Sequence, residues 1–75
     1  MKVEFTNNAV ARMLDRGIRE ADVRAALDAP DHLGPSFESR WHVRKKVDAR
    51  TLEVIFCRHP TQTQVITTYW QESSA

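Results

Sequence analysis

The 75 residues suffice for one compact core and exclude a chain of several domains. Hydrophobic residues form 41% of the sequence and charged residues 28%, which is typical of a folded globular domain and excludes a disordered chain. The net charge is +1, but residues 39–75 hold six basic and three acidic side chains, a mild basic excess that a solvated surface also explains.

The N-terminal residues predict a strand followed by a helix. Val3 and Phe5 alternate with polar residues, which indicates a short strand with one buried face. Apolar residues at helical spacing predict a helix from Ala9 to Arg16, and Gly17 stands where a left-handed C-terminal cap is expected. The residues suited to cap its N-terminus are Thr6, Asn7 and Asn8.

A second helical pattern runs from about Arg19 to Ala29, and Pro30 ends it. Its core-facing residues are Ile18, Val23, Ala26 and Leu27. Gly34 and Pro35 then punctuate a connection that we expect to be a loop and the hinge of the domain. The apolar residues expected to hold this loop against the core are Leu33 and Phe37.

After residue 39 the apolar period changes to two, which predicts strands. One parity of the segment from Arg40 to Val47 is apolar and consists of Trp41, Val43 and Val47. The other parity is basic and consists of Arg40, His42, Arg44 and Lys46. Lys45 falls on the apolar parity, so we expect it to reach past a sheet edge, to pair with an acid or to serve a purpose of its own.

Residues 48–50 predict a tight turn, and Thr51 to Arg58 predicts a strand that is apolar on both parities and therefore central. His59 to Gln64 predicts a polar loop, and Val65 to Trp70 predicts the last strand. We expect Gln71 to Ala75 to be a frayed tail.

The predicted fold is therefore α+β with the order β-α-α-β-β-β, in which two N-terminal helices pack on one face of a small antiparallel sheet. We expect one domain over residues 1–75, with the first strand and helical pair in 1–38, a three-stranded meander in 39–70 and the tail in 71–75. The basic parity then lies on the face of the sheet that no helix covers.

Cys57 is the only cysteine, so no internal disulfide can form, and no Cys/His spacing resembles a zinc site. The first six residues lack the apolar stretch of a signal peptide, and the longest apolar run, Val54 to Cys57, is far too short to cross a bilayer. We therefore expect no metal, no other cofactor, no membrane partner and a cytoplasmic location. Cys57 itself fits a small strand hydrophobe.

A series of short motifs extends over nearly the whole chain, in the order Phe5-Thr6, Arg12-Met13, Arg16-Gly17-Ile18, Asp22-Val23, Ala26-Leu27, Pro30-Asp31 and Val65-Ile66-Thr67-Thr68-Tyr69-Trp70. In their order and spacing these motifs resemble an uncharacterised family, domain of unknown function 4258 (DUF4258). One departure matters, because Asn8 stands where members of that family often carry histidine, four residues before Arg12. Any proton-transfer role of that histidine is therefore absent here.

The architecture also resembles that of small toxin ribonucleases of the RelE type and of BrnT-like toxins, which place a helical pair before a short antiparallel sheet. The resemblance implies an endoribonuclease that needs no metal and acts on RNA from the exposed sheet face. It also implies an antitoxin or another protein as a partner. A shared fold alone does not fix a function, so the site residues must carry the argument.

On the first predicted helix, Asn8, Arg12 and Arg16 recur every four residues and therefore lie along one stripe. The two guanidinium groups are suited to hold a phosphate together. The alternative is a solvated helix face on which Arg12 pairs with Asp15, or Arg16 with Glu20.

On the basic strand, like-facing residues are about 6.5 to 7 Å apart, which is close to the phosphate repeat of an extended RNA strand. The candidate RNA contacts are Arg40, Arg44 and Lys46, and the alternative is that such charges only prevent edge aggregation. His42 is the best candidate for proton transfer, because an imidazole titrates near neutral pH, although a structural role is the alternative. His32 and His59 are expected in loops and are weaker candidates.

On the last strand, Thr67 and Tyr69 share one parity, which we expect to face the open side of the sheet. Tyr69 is suited to stack on a base or to take part in proton transfer, and Thr67 to bond a phosphate oxygen. The alternative for Tyr69 is a half-buried ring with a solvated hydroxyl.

These residues support a leading hypothesis and two alternatives. The leading hypothesis is a ribonuclease-like or RNA-binding toxin-type domain, with His42, Tyr69, Arg12 and Arg16 as the catalytic groups. The first alternative is a non-catalytic module that binds a protein or a nucleic acid through the same face. The second is a structural subunit that forms a homodimer through a sheet edge.

Overall fold

A computed structural model describes residues 2–36 and 38–71 of the chain. Its elements are β1 (Lys2–Phe5), α1 (Asn7–Arg16), α2 (Glu20–Asp28), β2 (His32–Pro35), β3 (Trp41–Val47), β4 (Arg50–Arg58) and β5 (Gln62–Gln71). The strands form one sheet in the order β1-β5-β4-β3-β2, so β4 is central, as predicted. The α+β class and the helices packed against a sheet are confirmed.

The sheet has five strands and is mixed, whereas the sequence predicted four antiparallel strands. β1 pairs with β5 in parallel, and the other three pairings are antiparallel. A local alternating pattern identifies a strand but not its partner. The sequence alone therefore cannot predict that β1 pairs in parallel.

Two predicted loops are partly strand. The predicted hinge contains β2, in which Leu33 lies opposite Val43 of β3. Gly34 and Pro35 favour a loop in a sequence-based prediction, because both residues normally interrupt strands. An edge strand such as β2 tolerates proline. β5 begins at Gln62 rather than at Val65. The predictions for Phe37 and for residues 72–75 lie outside the described part of the chain.

Thr6 is the residue that caps α1. Its hydroxyl accepts a hydrogen bond from the backbone N–H of Ala9 at 3.1 Å and donates one to the carbonyl of Ile66 at 2.8 Å. Gly17 ends the helix with φ 64°, the left-handed conformation predicted for it. The cap therefore fixes both the start of α1 and its position on β5.

Lys45 lies on the helix-covered side of the sheet, where its apolar parity places it. Its Nζ donates a hydrogen bond to the carbonyl of Ala29 at 2.9 Å. Ala29 follows the last residue of α2, where backbone carbonyls have no partner within the helix. Lys45 therefore stabilises the C-terminus of α2 with a charged donor.

The core lies between the helices and one face of the sheet. Its buried residues are Ala9, Ile18, Val23, Ala26, Val43, Leu52, Val54, Phe56 and Val65. The strand residues of the opposite parity point away from the helices. We call their surface the open face; its members on β2 to β5 include His32, Gly34, His42, Arg44, Lys46, Glu53, Ile55, Cys57, Thr67 and Tyr69.

Two apolar residues of α1 remain outside the core. Val10 is 44% exposed and Leu14 is 81% exposed, although both contribute to the helical apolar spacing. Trp70 packs against the core, and its indole N–H donates to the carbonyl of Arg16 at 2.9 Å.

Neither helix in the described part of the chain has the length and the apolar run needed to span a membrane.

Candidate functional site

Four strands align polar side chains in two neighbouring rows on the open face. The first row crosses β2 to β5 and consists of His32, Arg44, Glu53 and Tyr69. The second row consists of Gly34, His42, Ile55 and Thr67. Residues directly opposite each other on paired strands are close enough for their side chains to interact. The structure thus brings together four predicted site residues, namely His42, Arg44, Thr67 and Tyr69.

The alignment of the rows depends on a β-bulge in β5. The pairing passes from Ile55 opposite Thr67 to Phe56 opposite Val65, so Ile66 has no partner in β4. The carbonyl of Ile66 instead accepts hydrogen bonds from α1, from Thr6 at 2.8 Å and from the amide of Asn8 at 3.3 Å. The side chain of Asn8 therefore has a structural contact with the backbone of β5.

Glu53 is the centre of the first row. Its side chain is only 7% exposed, and its Oε1 accepts a hydrogen bond from Nε of Arg44 at 2.6 Å. The other oxygen, Oε2, accepts a hydrogen bond from the hydroxyl of Tyr69. Arg44 makes this contact through Nε; its side chain is 38% exposed, and its two terminal nitrogens have no acceptor within residues 2–36 and 38–71. The buried carboxylate therefore orients a guanidinium group whose end remains available to a ligand.

The hydrogen bonds within this row shift the pKa values of Glu53 and Tyr69 in opposite directions. Burial alone would raise the pKa of the Glu53 carboxyl, but the hydrogen bonds from Tyr69 and Arg44 outweigh burial and hold the pKa below its usual value. Burial, together with the hydrogen bond to Glu53, raises the pKa of Tyr69 to about 12. At neutral pH Glu53 is therefore an anion and Tyr69 a phenol that donates a hydrogen bond.

Two histidines, one from each row, stack on the open face. The ring centroids of His32 and His42 are 5.2 Å apart, with 21° between the ring planes. Both rings lie over Gly34, where an added Cβ would come within 3.3 Å of Nε2 of His32 and of Cε1 of His42. Nε2 of His42 is buried and has no hydrogen-bond partner among the described residues. The missing side chain of Gly34 makes the room that the two rings occupy.

Sequence reasoning missed His32 and Glu53 as site residues. His32 was expected in a loop, but it belongs to β2 and lies opposite Arg44. Glu53 is the one acidic residue in the predicted strand from Thr51 to Arg58, which is rich in apolar residues. A buried acid in a central strand requires partners, and this requirement was the signal available in the sequence.

Arg12 and Arg16 lie in the helical layer, on the other side of the sheet from His42 and Tyr69. α1 packs on the sheet through Ala9, and both arginines are exposed. Nε of Arg16 is 3.5 Å from Asp15, and the alternative pairing with Glu20 is not formed, because Glu20 pairs with Arg24 at 2.8 Å. The structure does not bring these two arginines to the open face.

The two remaining basic candidates lie at the ends of the β3 segment. Lys46 is exposed on the open face, and its backbone N–H donates to Oδ2 of Asp31 at 2.8 Å. Arg40 precedes β3, and its Nη1 is 3.7 Å from the carboxylate of Glu38. Of these two, Lys46 has its side-chain charge free of an ion pair in the described part of the chain.

The donors on the open face suit an anion that also presents a flat apolar surface. Arg44 and Lys46 are cationic at neutral pH, and Thr67 and two imidazoles add polar groups beside them. Tyr69 is 37% exposed and presents an aromatic ring in the same surface. Within the described residues, no three His, Cys, Asp or Glu side chains group as metal ligands. A nucleic-acid strand combines the phosphate and the aromatic base that such a surface would contact.

The comparisons with known proteins identify a family without assigning an activity. The family model described as Domain of unknown function (DUF4258) matches residues 5–70. No curated protein and no solved structure matches the chain. The match includes both helices and all of β2 to β4, and it ends one residue before the end of β5.

Proposed function

Because the chain belongs to the DUF4258 family, which is defined without a function, we propose a function from its open face: binding of single-stranded RNA by a ribonuclease-like, toxin-type domain. The contacts to the phosphates come from Arg44 and Lys46, with Thr67 and the imidazole of His42 beside them. No metal and no other cofactor enters the proposal. Such a domain would act in the cytoplasm, where its RNA is located.

The observation that carries this proposal is the geometry of Arg44. Its Nε is bonded to a buried carboxylate, so the guanidinium is held in one orientation before any ligand arrives. The two terminal nitrogens have no acceptor among the described residues, and they form a planar pair of the kind that binds phosphate oxygens bidentately. A cation that is fixed in this way loses less conformational entropy on binding than a free surface arginine.

RNA rather than a simple anion is favoured by the aromatic ring and by the spacing of the rows. Tyr69 is partly exposed in the row of Arg44, so a base that follows the bound phosphate can stack on its ring. Successive open-face residues on one strand are about 6.5 to 7 Å apart, which matches the phosphate spacing of an extended strand. A single strand fits this surface because its bases are accessible.

The toxin-type form of the proposal adds cleavage. A base removes the proton from the ribose 2′-hydroxyl, the 2′-oxygen attacks phosphorus, and an acid protonates the departing 5′-oxygen. His42 is the candidate for proton transfer, and Arg44 would stabilise the charge that develops on phosphorus. In this form of the proposal, an antitoxin or another protein binds and covers the open face. This part of the proposal rests on the resemblance to RelE-type and BrnT-like toxins.

The second candidate is a module that binds RNA without cleaving it, and three observations favour it. Nε2 of His42 is buried, and the hydroxyl of Tyr69 is engaged by Glu53. Asn8 has an amide in place of the family histidine and contacts a backbone carbonyl. Proton transfer by His42 would therefore require its ring to be uncovered first, whereas the terminal nitrogens of Arg44 have no acceptor to give up among the described residues.

The test is to mix the purified protein with end-labelled single-stranded RNA, and with DNA of the same sequence, in the presence of a metal chelator. We expect RNA binding in the range of about 1 to 100 µM at low salt, with affinity that falls steeply as salt increases. Shortened RNA products that disappear in His42→Gln support the cleaving form, and binding without products supports the second candidate. Absence of RNA binding over the whole range contradicts the proposed function.

A further inference from the structure

The two stacked imidazoles and Arg44 belong to the neighbouring strands β2 and β3 and share the open face. His32 lies directly opposite Arg44, and Gly34 lies directly opposite His42. We infer that His32, His42 and Arg44 form a seat for one phosphate group of RNA, and that filling this seat draws protons onto the two imidazoles. The identity of the ligand rests on the proposed function, whereas the seat and its link to protons rest on the three side chains.

One polar atom of the seat lacks a hydrogen bond. Nε2 of His42 is buried without a partner in the described part of the chain, and this is an unfavourable state for a polar atom. The ring of His32 stacks on that of His42, and Nε2 of His32 lies above Gly34 beside it. A phosphate oxygen at this position supplies the missing acceptor once the imidazole carries a proton on Nε2.

His32 is the ring that must move to admit a ligand. It is exposed and belongs to the short edge strand β2, whereas His42 belongs to β3 in the interior of the sheet. Rotation of the His32 side chain uncovers Nε2 of His42 without disturbing the core, because the open face lies on the opposite side of the sheet. The backbone of His32 stays directly opposite Arg44 during this rotation.

Proton uptake follows from the charges at the seat. Two protonated rings with centroids 5.2 Å apart repel one another, and Arg44, which lies opposite His32 in the register of β2 and β3, adds a further positive charge. A bound phosphate diester removes this repulsion and accepts a hydrogen bond from each protonated ring. By linkage, protons must then strengthen phosphate binding by the same factor by which phosphate strengthens proton binding.

Other titratable and charged groups also face the seat. Glu53 faces the seat from β4 and remains ionised because its pKa is held low, and Tyr69 on β5 remains a phenol because its pKa is about 12. Lys46 on β3 contributes a fixed positive charge, and Asp31 before β2 is bonded to the backbone of Lys46. Cys57, a further titratable group on the open face of β4, lies opposite Gln64, one row beyond the row of His42. With Glu53 and Tyr69 held in these states, we infer that the seat groups which take up protons on binding are the two imidazoles.

The experiment measures RNA affinity at about pH 7.5 and about pH 5.5, because this interval covers the ordinary titration range of histidine. The variants are His32→Gln, His42→Gln and Gly34→Ala. The matched control is His59→Gln, which removes the third histidine, an exposed residue outside the strands. Urea unfolding checks that every variant folds. A second titration uses dimethyl phosphate, a phosphodiester with the same charge at both pH values, and follows the imidazole nitrogen signals by NMR.

We expect the wild type and His59→Gln to bind RNA about tenfold more tightly at the lower pH, and the three seat variants to lose most of this dependence. If the wild type and all variants show the same pH dependence of RNA affinity, or if none shows any, the seat is contradicted. RNA binding in those experiments would still support the proposed function. Dimethyl phosphate that shifts His32 and His42 signals without any RNA binding supports the seat and contradicts the proposed function. No response to either ligand overturns both.

Discussion

The hydroxyl of Tyr69 donates a hydrogen bond to Oε2 of Glu53, directly across the ladder between β5 and β4 on the open face. The second carboxylate oxygen holds Arg44 from the other side. One buried acid therefore fixes a phenol on one neighbouring strand and a guanidinium on the other. The stability of the domain and the shape of its candidate binding surface depend on the same three residues.

Replacement Glu53→Gln tests how much this charged acceptor stabilises the domain. The amide keeps the shape of the side chain but removes the charge, and we expect the free energy of unfolding in urea to fall by about 1 to 3 kcal/mol. Glu4→Gln is the control, because its ion pair with Lys2 is exposed and contributes little. An equal loss in both variants would show that Glu53 has no special role.

The same variant should change the response to acid. The pKa of Glu53 is lowered by folding, so its stabilising effect is complete above the ordinary value of 4.5 and is lost as the pH falls through the lowered value. We expect the wild type to lose stability more steeply than Glu53→Gln below that ordinary value. Urea unfolding at a series of acidic pH values measures the difference, and parallel curves would contradict it.

Tyr69 should produce the opposite effect at alkaline pH. Folding raises its pKa from 10.0 to about 12, so its stabilising effect is present below 10 and is lost as the pH rises toward 12. Tyr69 is the only tyrosine, so the absorbance of its phenolate reports this titration without overlap. We expect the folded protein to titrate near the raised value and the urea-unfolded chain near 10, whereas coincident curves would exclude the bond to Glu53.

Lys45 offers a test of the contact between the sheet and α2. In Lys45→Met the hydrogen bond to the carbonyl of Ala29 is lost, and we expect a loss of about 0.5 to 1 kcal/mol in the free energy of unfolding. Lys46→Met is the matched control, because the adjacent side chain points to the open face. In Lys46→Met the free energy of unfolding should stay unchanged and the RNA affinity should fall, whereas Lys45→Met should leave the RNA affinity unchanged. The reverse assignment would contradict the register of β3.

Local patterns predicted those features of the fold that depend on near neighbours. Gly17 as the C-terminal cap of α1 and the basic parity of β3 follow from spacing alone, and both are present. The parallel pairing of β1 depends on contacts with residues about 60 positions away, which no local pattern contains. β2 was missed because Gly34 and Pro35 normally mark a loop.

The candidate site was predicted in part for the same reason. Alternation placed His42, Arg44 and Tyr69 on one face, but the register that aligns them depends on the bulge at Ile66. The role of Glu53 became visible only when its two partners were placed on neighbouring strands. Arg12 and Arg16 were grouped with this face through family resemblance and a phosphate-binding argument, whereas the packing of α1 puts the sheet between them and His42.

The most direct test of the central claim compares two pairs of positive charges on opposite sides of the sheet. Arg44→Gln/Lys46→Gln removes two charges from the open face, and Arg12→Gln/Arg16→Gln removes two from the helical layer. Glutamine at position 44 still offers an N–H to Glu53, and urea unfolding verifies that both variants fold. Fluorescence anisotropy with labelled single-stranded RNA then gives the affinity of each variant at several salt concentrations.

The open-face account predicts that the first pair weakens binding by about tenfold or more and makes the salt dependence shallower by about 1.4 in log–log slope, as expected for two lost phosphate contacts. The helical-layer pair should leave both quantities unchanged. Equal losses in the two variants, or a larger loss in the helical-layer pair, would contradict the claim that RNA binds on the open face.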